Sequence, residues 1–301
     1  MMKFIQRVLN KIDAIIAVPW QYWLDWKLEK ISKDDRFYLK GLRSYYEDYY
    51  KNLENPLITV YIPTYNRSKL LMERSLKSAI SQTYKNLEIL VIGDCCTDDT
   101  EKCIGDLNDK RVKFFNLPER PNYPKYKYAR WLMIGSYARN VGLLVSKGDW
   151  IAYLDDDDIW ENDHIEKLYN LTQSKEGVEF VYGGYKRQNQ DGTWTIRENP
   201  NFISGKKPFG GTFILHSSIM YRSYLSFQLY FTDSYKYGKA LDYLFTQRIA
   251  RSGIKWKFAK GVYAIQPLRP GEATTTYNSI KPFWPRGLDF ILLPIIKRFN
   301  F

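Results

Sequence analysis

The chain lacks most of the features that announce a function at a glance. It has two histidines, His164 and His216, neither with another His, Cys or Glu at metal-ligand spacing, so structural roles are expected of both. Its three cysteines, Cys95, Cys96 and Cys103, fall within nine residues and form neither a disulfide framework nor a repeated CxxC pattern, which points to a reducing compartment. No uncharged apolar run reaches the roughly 18 residues that a spanning helix needs. Lys11 and Asp13 interrupt the apolar N-terminal stretch and no small-residue cleavage site follows, so no secretory signal is expected. A cytoplasmic chain is the expectation, in contact with the membrane face at most peripherally. A nucleophile motif for Ser-His-Asp chemistry, a glycine-rich phosphate loop, internal repeats and low-complexity linkers are also missing. Acids are in deficit, 33 Asp and Glu against 45 Lys and Arg; the net charge of +12 favours anionic partners such as nucleotides, nucleic acid or acidic lipid.

What the chain does have is residues 148–160, GDWIAYLDDDDIW. Residues 150–154 have the apolar, β-branched and aromatic composition of a strand buried on both faces of a parallel sheet. The strand ends in Asp155, Asp156, Asp157 and Asp158. Four adjacent carboxylates repel one another and are costly to desolvate, so a cation or cationic ligand is expected beside them. Open α/β sheets bind ligands at the carboxyl ends of their strands, and oxygen-only ligands suit Mg²⁺ or Mn²⁺ bound together with substrate phosphates. The plain alternative is a solvated acidic loop whose last members cap a helix beginning near Glu161.

At 301 residues, one domain with extensions fits best. Residues 1–54 read as a helical N-terminal extension in which Ile5, Val8, Leu9, Ile12, Ile15 and Ile16 share a face until Pro19 interrupts. Trp20, Trp23 and Trp26 follow among Lys27 and Lys30. Two readings stay open: a membrane-interface segment, or a stripe packed on the rest of the protein or on another subunit. Strands are expected over 57–62, 87–92, 111–115, 150–154 and 178–183, and helices over 68–82, from 97, over 128–146 and over 162–173. That alternation predicts a parallel sheet with right-handed crossovers and functional loops along one edge. A hairpin turn is expected at 190–192, a strand over 213–221, a helix over 239–250 and closing strands over 255–265. Residues 110–130 carry seven Lys or Arg and a single acid, Glu119, in a proline-punctuated loop. That loop faces an anion or simply water. Residues 266–301 form an amphipathic tail, apolar and basic over 283–301, too short to span a bilayer but suited to lie at its surface.

Three segments carry a resemblance. ITVYIPTYNR from Ile58, LEILVIGDCCTDDT from Leu87 and SYARNVGLLVSKGDWIAYLDDDDIW from Ser136 together resemble family 2 glycosyltransferases, which have the GT-A fold, an αβα sandwich with a mostly parallel sheet. The likeness is strong over 58–166 and weaker to 265, and implies a GT-A domain over 55–265. It implies that Pro63, Thr64, Tyr65 and Arg67 contact a nucleotide-diphospho-sugar donor, and that Asp94 contacts its base. Cys95 and Cys96 stand where the family commonly has Gly and Ser. Arg139 and Asn140 match an ARN element that helps hold the donor. The DxD pattern falls on Asp155, Asp156 and Asp157, with Asp157 as ligand of Mn²⁺ or Mg²⁺, Asp155 and Asp156 at the donor, and Asp158 able to exchange roles with its neighbour. Asp242, in ALDYLFTQR, matches the family's late acid and is implied to be the general base of an inverting transfer, with Asp233 in reserve. The expected acceptor is a glycan or a lipid-linked glycan, with no specific nucleic acid. The readings weighed against this one are a nucleotidyltransferase and a non-catalytic basic module, binding membrane or nucleic acid, on a degenerate transferase fold.

Overall fold

Three sequence runs that are apolar at nearly every position become the centre of the sheet. In the computed structural model, which describes residues 2–51, 53–174, 177–201 and 214–268, with side chains from residue 19 onward, β1 (Ile58–Thr64), β2 (Leu87–Gly93) and β4 (Trp150–Tyr153) are buried at every position. Burial on both faces is what crossover helices produce around parallel strands. β3 (Val112–Asn116), β2, β1 and β4 lie side by side in parallel, as expected. Beyond β4 the sheet turns mixed. β8 (Ile219–Arg222) runs antiparallel to β4, and β6 (Phe180–Gln188) antiparallel to β8. β9 (Trp256–Gln266) pairs parallel with β6 and antiparallel with the two-residue β5 (Ile159–Trp160), while β7 (Trp194–Arg197) forms the expected hairpin with β6.

The two-residue strand period sorts the core into layers. Ile58, Val60 and Ile62 pack with Leu71 of α2 (Ser68–Glu73), Leu76 and Ala79 of α3 (Ser75–Ile80), and Ile165 and Leu168 of α7 (His164–Thr172). Tyr61 and Tyr153 point the other way, toward Ala138 and Leu143 of α6 (Ser136–Val145) and Leu241, Phe245 and Ile249 of α8 (Leu241–Arg251). α6 approaches the sheet closely at Gly142, where an added Cβ would lie 2.5 Å from the Tyr61 ring.

Several local expectations are corrected. The helix expected over 68–82 breaks at Arg74, whose guanidinium donates to the Asp157 carbonyl. The helix expected over 128–146 breaks at Gly135, which takes a left-handed φ of 79° between α5 (Lys127–Met133) and α6. The expected strand over 213–221 is a 3-10 turn at His216–Ser218 followed by β8, because Ser217 and Ser218 spend their hydroxyls on Asp158 and on the Leu215 carbonyl. Cys103 lies in α4 (Thr100–Gly105), and the Asp98 carboxylate accepts from the backbone N–H groups of both Thr100 and Ser68.

The largest difference is at the N-terminus, where α1 (Met2–Lys51) runs helical through Pro19. Proline removes a single helical hydrogen bond, and tertiary packing fixes the turns that follow it. Leu24 and Leu28 pack on Leu244 of α8, and Leu39 joins the main core. Arg248 forks onto Asp35 at 2.7 and 2.8 Å, Arg251 reaches Asp25 at 2.7 Å, and Arg43 reaches Glu179. The second half of α1 is therefore a strap across α8. The tail over 283–301 and the side chains of the 5–16 stripe lie outside the described residues.

Candidate active site

Parallel pairing sets the C-terminal ends of β1, β2 and β4 next to one another, and Thr64, Asp94 and the four aspartates lie at these ends. The Asp94 N–H donates to the Thr64 carbonyl at 2.8 Å, tying the loop after β2 to the end of β1. Pro63 is buried within β1, and Tyr65 carries the Arg120 guanidinium flat on its ring, 3.3 Å from the centroid. Arg120 comes from the basic stretch over 110–130. Elsewhere in that stretch Arg111 pairs with Asp109, Lys113 with Glu88, and Arg130 with the Pro124 carbonyl.

Asp94 is buried, and among the described residues neither of its carboxylate oxygens has a hydrogen bond within ordinary distance and angle. Burial raises its pKa, which the neighbouring Tyr123 hydroxyl and Arg120 partly offset. An unsatisfied buried carboxylate is costly to maintain and suited to a ligand that brings an N–H donor.

Of the four aspartates, Asp156 and Asp157 share Arg67, while Asp155 and Asp158 turn to other partners. Asp156 accepts from the Thr64 hydroxyl at 2.8 Å and from Arg67 at 3.0 Å, and burial raises its pKa against the opposing pull of Arg67. The same Arg67 nitrogen lies 3.1 Å from Asp157. Asp158 is buried and accepts from Ser217 at 2.6 Å. Asp155 accepts from the Tyr153 hydroxyl and, at 3.2 Å, from Arg139.

These carboxylate oxygens suit a hard divalent cation, which is commonly held by one or two carboxylates together with substrate phosphates. Asp157 fits that donor chemistry, although its carboxylate is paired here with Arg67. Among the described residues, no three His, Cys, Asp or Glu side chains converge as a ready-made metal cluster.

Arg139, on the first turns of α6 and positioned by the Gly135 break, is buried. Its other terminal nitrogen lies 2.5 Å from Asp242, on the first turn of α8. Burial opposes its charge, but Tyr153, Asp242 and Asp155 more than compensate, and its pKa stands well above the usual value. Its Nε has no hydrogen-bond partner among the described residues. Burial also works against the Asp242 charge, yet the Arg139 guanidinium holds its pKa below the ordinary 3.8. The Asp242 side chain is 32% exposed and thus open to a ligand. Asp233, the reserve acid, pairs with Lys236 at 3.1 Å.

Asn140 uses its amide on the backbone of Tyr230, donating to the carbonyl at 3.0 Å and accepting from the N–H at 2.7 Å. Sequence reasoning missed Arg120, Tyr123, Ser217 and Tyr230, which stand in no motif, and Tyr153, which stands in the acidic-strand motif but was read only as a strand residue. It also left His216 as a strand residue, whereas the ring sits under the site. His216 Nε2 is 3.2 Å from the Asp242 carbonyl, and Nδ1 is 3.2 Å from the Tyr230 hydroxyl. A carbonyl only accepts, so Nε2 carries the proton and Nδ1 accepts from Tyr230.

The sequence profile of glycosyl transferase family 2 matches residues 59–240. Over 129 residues the chain is 35% identical to the Escherichia coli UDP-Glc:alpha-D-GlcNAc-diphosphoundecaprenol beta-1,3-glucosyltransferase WfaP, covering 43% of this chain and 46% of that one. Among solved structures it superposes on Staphylococcus aureus TarS in complex with UDP-GlcNAc with a TM-score of 0.54 and 20% identity, over 72% of this chain and 60% of TarS. It superposes on the mannosyltransferase PcManGT of Pyrobaculum calidifontis, in complex with GDP-Man and Mn²⁺, with a TM-score of 0.53 and 16% identity, over 91% of this chain and 79% of that one. The matched stretch spans about half the length of the curated relative.

Proposed function

The chain belongs to glycosyl transferase family 2 and has a GT-A-type fold, and on that premise we propose that it transfers a sugar from a nucleoside-diphosphate donor to a hydroxyl of a glycan or lipid-linked acceptor, in polysaccharide assembly. The observation that carries this reading is that Arg139 joins Asp155, at the end of β4, to Asp242, at the start of α8. An acid expected at the donor and an acid expected at the acceptor are thus held on one guanidinium.

In the reaction, the donor base lies on the Tyr65 side of the site with an N–H on Asp94. Thr64 and Arg67 orient the aspartates beneath the donor, while Asn140 acts through its hold on Tyr230. Asp242 takes the proton of the acceptor hydroxyl as that oxygen attacks the anomeric carbon and the bond to the nucleoside diphosphate breaks. This is a single displacement with inversion. Arg139 orients the Asp242 carboxylate and offsets negative charge at the leaving group. A divalent Mn²⁺ or Mg²⁺ ion at Asp157, when bound, would neutralise charge on the leaving diphosphate. WfaP is named for a diphosphoundecaprenol-linked acceptor, which favours a lipid-linked acceptor here.

The test is a thermal-shift screen of UDP-, GDP- and dTDP-sugars with and without Mn²⁺, on the wild type and on Asp157→Ala. A ligand that binds only the folded state raises its stability. Metal-dependent stabilisation by one donor class, lost in the variant, is expected. Equal stabilisation of both proteins would overturn the Asp157 assignment. Nucleic-acid binding stronger than donor binding would move the reading to a non-catalytic module.

A further inference from the structure

The strap α1 has two faces of opposite character. Gln21, Leu24, Leu28, Ser32, Asp35 and Leu39, spaced three or four apart, are buried against the body of the protein. Tyr22, Trp26, Lys30, Lys33, Phe37 and Lys40 follow the same spacing on the opposite face, and all are exposed. Trp26 is 59% exposed and Phe37 76%, and Tyr38 and Tyr45 flank them, exposed at 59% and 80%. In the sequence, Val8, Ile12 and Ile15 continue this spacing toward the start of the same helix.

Large aromatics left in water are costly, and here they are interleaved with lysines whose stems reach past them, Lys30 lying over the Trp26 ring. We propose that this outer face of α1 docks the protein onto an anionic lipid surface, with the aromatic rings at the headgroup boundary and Lys30, Lys33 and Lys40 on the headgroups. Aromatic rings with one apolar and one polar edge settle at that boundary, and basic residues beside them add electrostatic attraction. A second copy of the chain is a poorer occupant. A two-fold interface on this face would bring together two patches of the same positive sign. The ion pairs of Asp25, Asp35 and Arg43 with the body keep the face turned outward.

The inference deepens the reading of a lipid-linked acceptor and rests on it for its biological sense, while its test needs neither donor nor acceptor. Full-length protein is floated with vesicles of phosphatidylcholine alone and of phosphatidylcholine with phosphatidylglycerol. The wild type, Trp26→Ser/Phe37→Ser and Lys30→Glu/Lys33→Glu are compared at low and high salt. The expected result is binding to the anionic vesicles that weakens with salt and falls roughly tenfold or more in each variant. Unchanged melting temperatures are expected, because all four positions are exposed. Variants that float like the wild type, equal binding to neutral vesicles, or no flotation of the wild type would overturn it. So would a wild-type dimer that the aromatic variant dissociates. Loss of flotation with sugar transfer to a water-soluble acceptor intact separates the docking surface from the active site. Failure of transfer with flotation intact would count against the proposed reaction alone.

Discussion

Arg139 is shared by two carboxylates, with one terminal nitrogen 2.5 Å from Asp242 and the other 3.2 Å from Asp155. Its removal leaves both acids without their common counter-charge at the bottom of the site. Arg139→Ala is expected to lower stability by about 3 kcal/mol, the scale of breaking a largely buried ion pair, and to abolish measurable transfer. Arg139→Lys should recover little, because one ammonium cannot reproduce a planar fork on two acids. Thermal melts and kcat/KM on the same preparations check both statements.

Asp242→Asn keeps the size of the side chain and removes the proposed proton acceptor. A loss of kcat of about 10²- to 10⁴-fold is expected, with donor affinity retained. Since Arg139 holds the Asp242 pKa below 3.8, the base form predominates at pH 5, and no acid limb from this group should appear above that pH. The stability that this depressed pKa contributes is present above the unfolded value and is lost as pH falls through the folded one. A pH–rate profile with a limb near 6 that vanishes in the variant would contradict the assignment.

Asp94→Asn should separate stability from binding. Burial raises the folded pKa of Asp94, so ionising its carboxylate works against the fold. The variant is expected to melt at the same or a higher temperature without ligand. Donor affinity should weaken roughly 10- to 100-fold, the cost of losing a charge-assisted hydrogen bond. Calorimetric titration of the preferred donor reads one effect and a ligand-free melt the other.

In the proposed reaction His216 acts through Asp242, as a positioning residue. Gln places an N–H donor near the position of Nε2, whereas Phe fills the space without one. His216→Gln is expected to stay within a few-fold of wild-type kcat, and His216→Phe to fall about tenfold, the scale of one lost hydrogen bond, with donor KM unchanged in both. Equal loss in the two variants would reduce the ring to a packing role.

The motifs legible in the sequence mark where strands end, and there the sequence reading did well. β1, β2 and β4 fall within about two residues of expectation; Thr64 closes β1, and the loops after β2 and β4 carry Asp94 and the aspartate run. A short strand buried on both faces is apolar throughout, so it stands out without help from neighbours. The breaks at Arg74 and Gly135 were not legible. Arg74 is turned toward the Asp157 carbonyl, which is 83 residues away, and Gly135 alone does not announce a helix break. The 3-10 turn at His216 reads as a strand by composition and is redirected by the hydroxyl bond from Ser217 to Asp158.

The order of the three motifs, the acidic strand end and the late acid at 242 were properties of the chain alone, because each depends on residue type at short spacing. Which charges meet was decided only by folding. Arg67 bridging Asp156 and Asp157, Arg139 joining Asp155 to Asp242, and Arg248 gripping Asp35 all link residues from 16 to 213 positions apart. The chain also left open whether its first helix would bind a membrane or the protein. Leucines and acids on one face dock α1 onto α8, and the opposite face keeps its aromatics and lysines for water or lipid. A helical period places residues on a face but cannot say what covers it, since that depends on elements arriving from distant sequence.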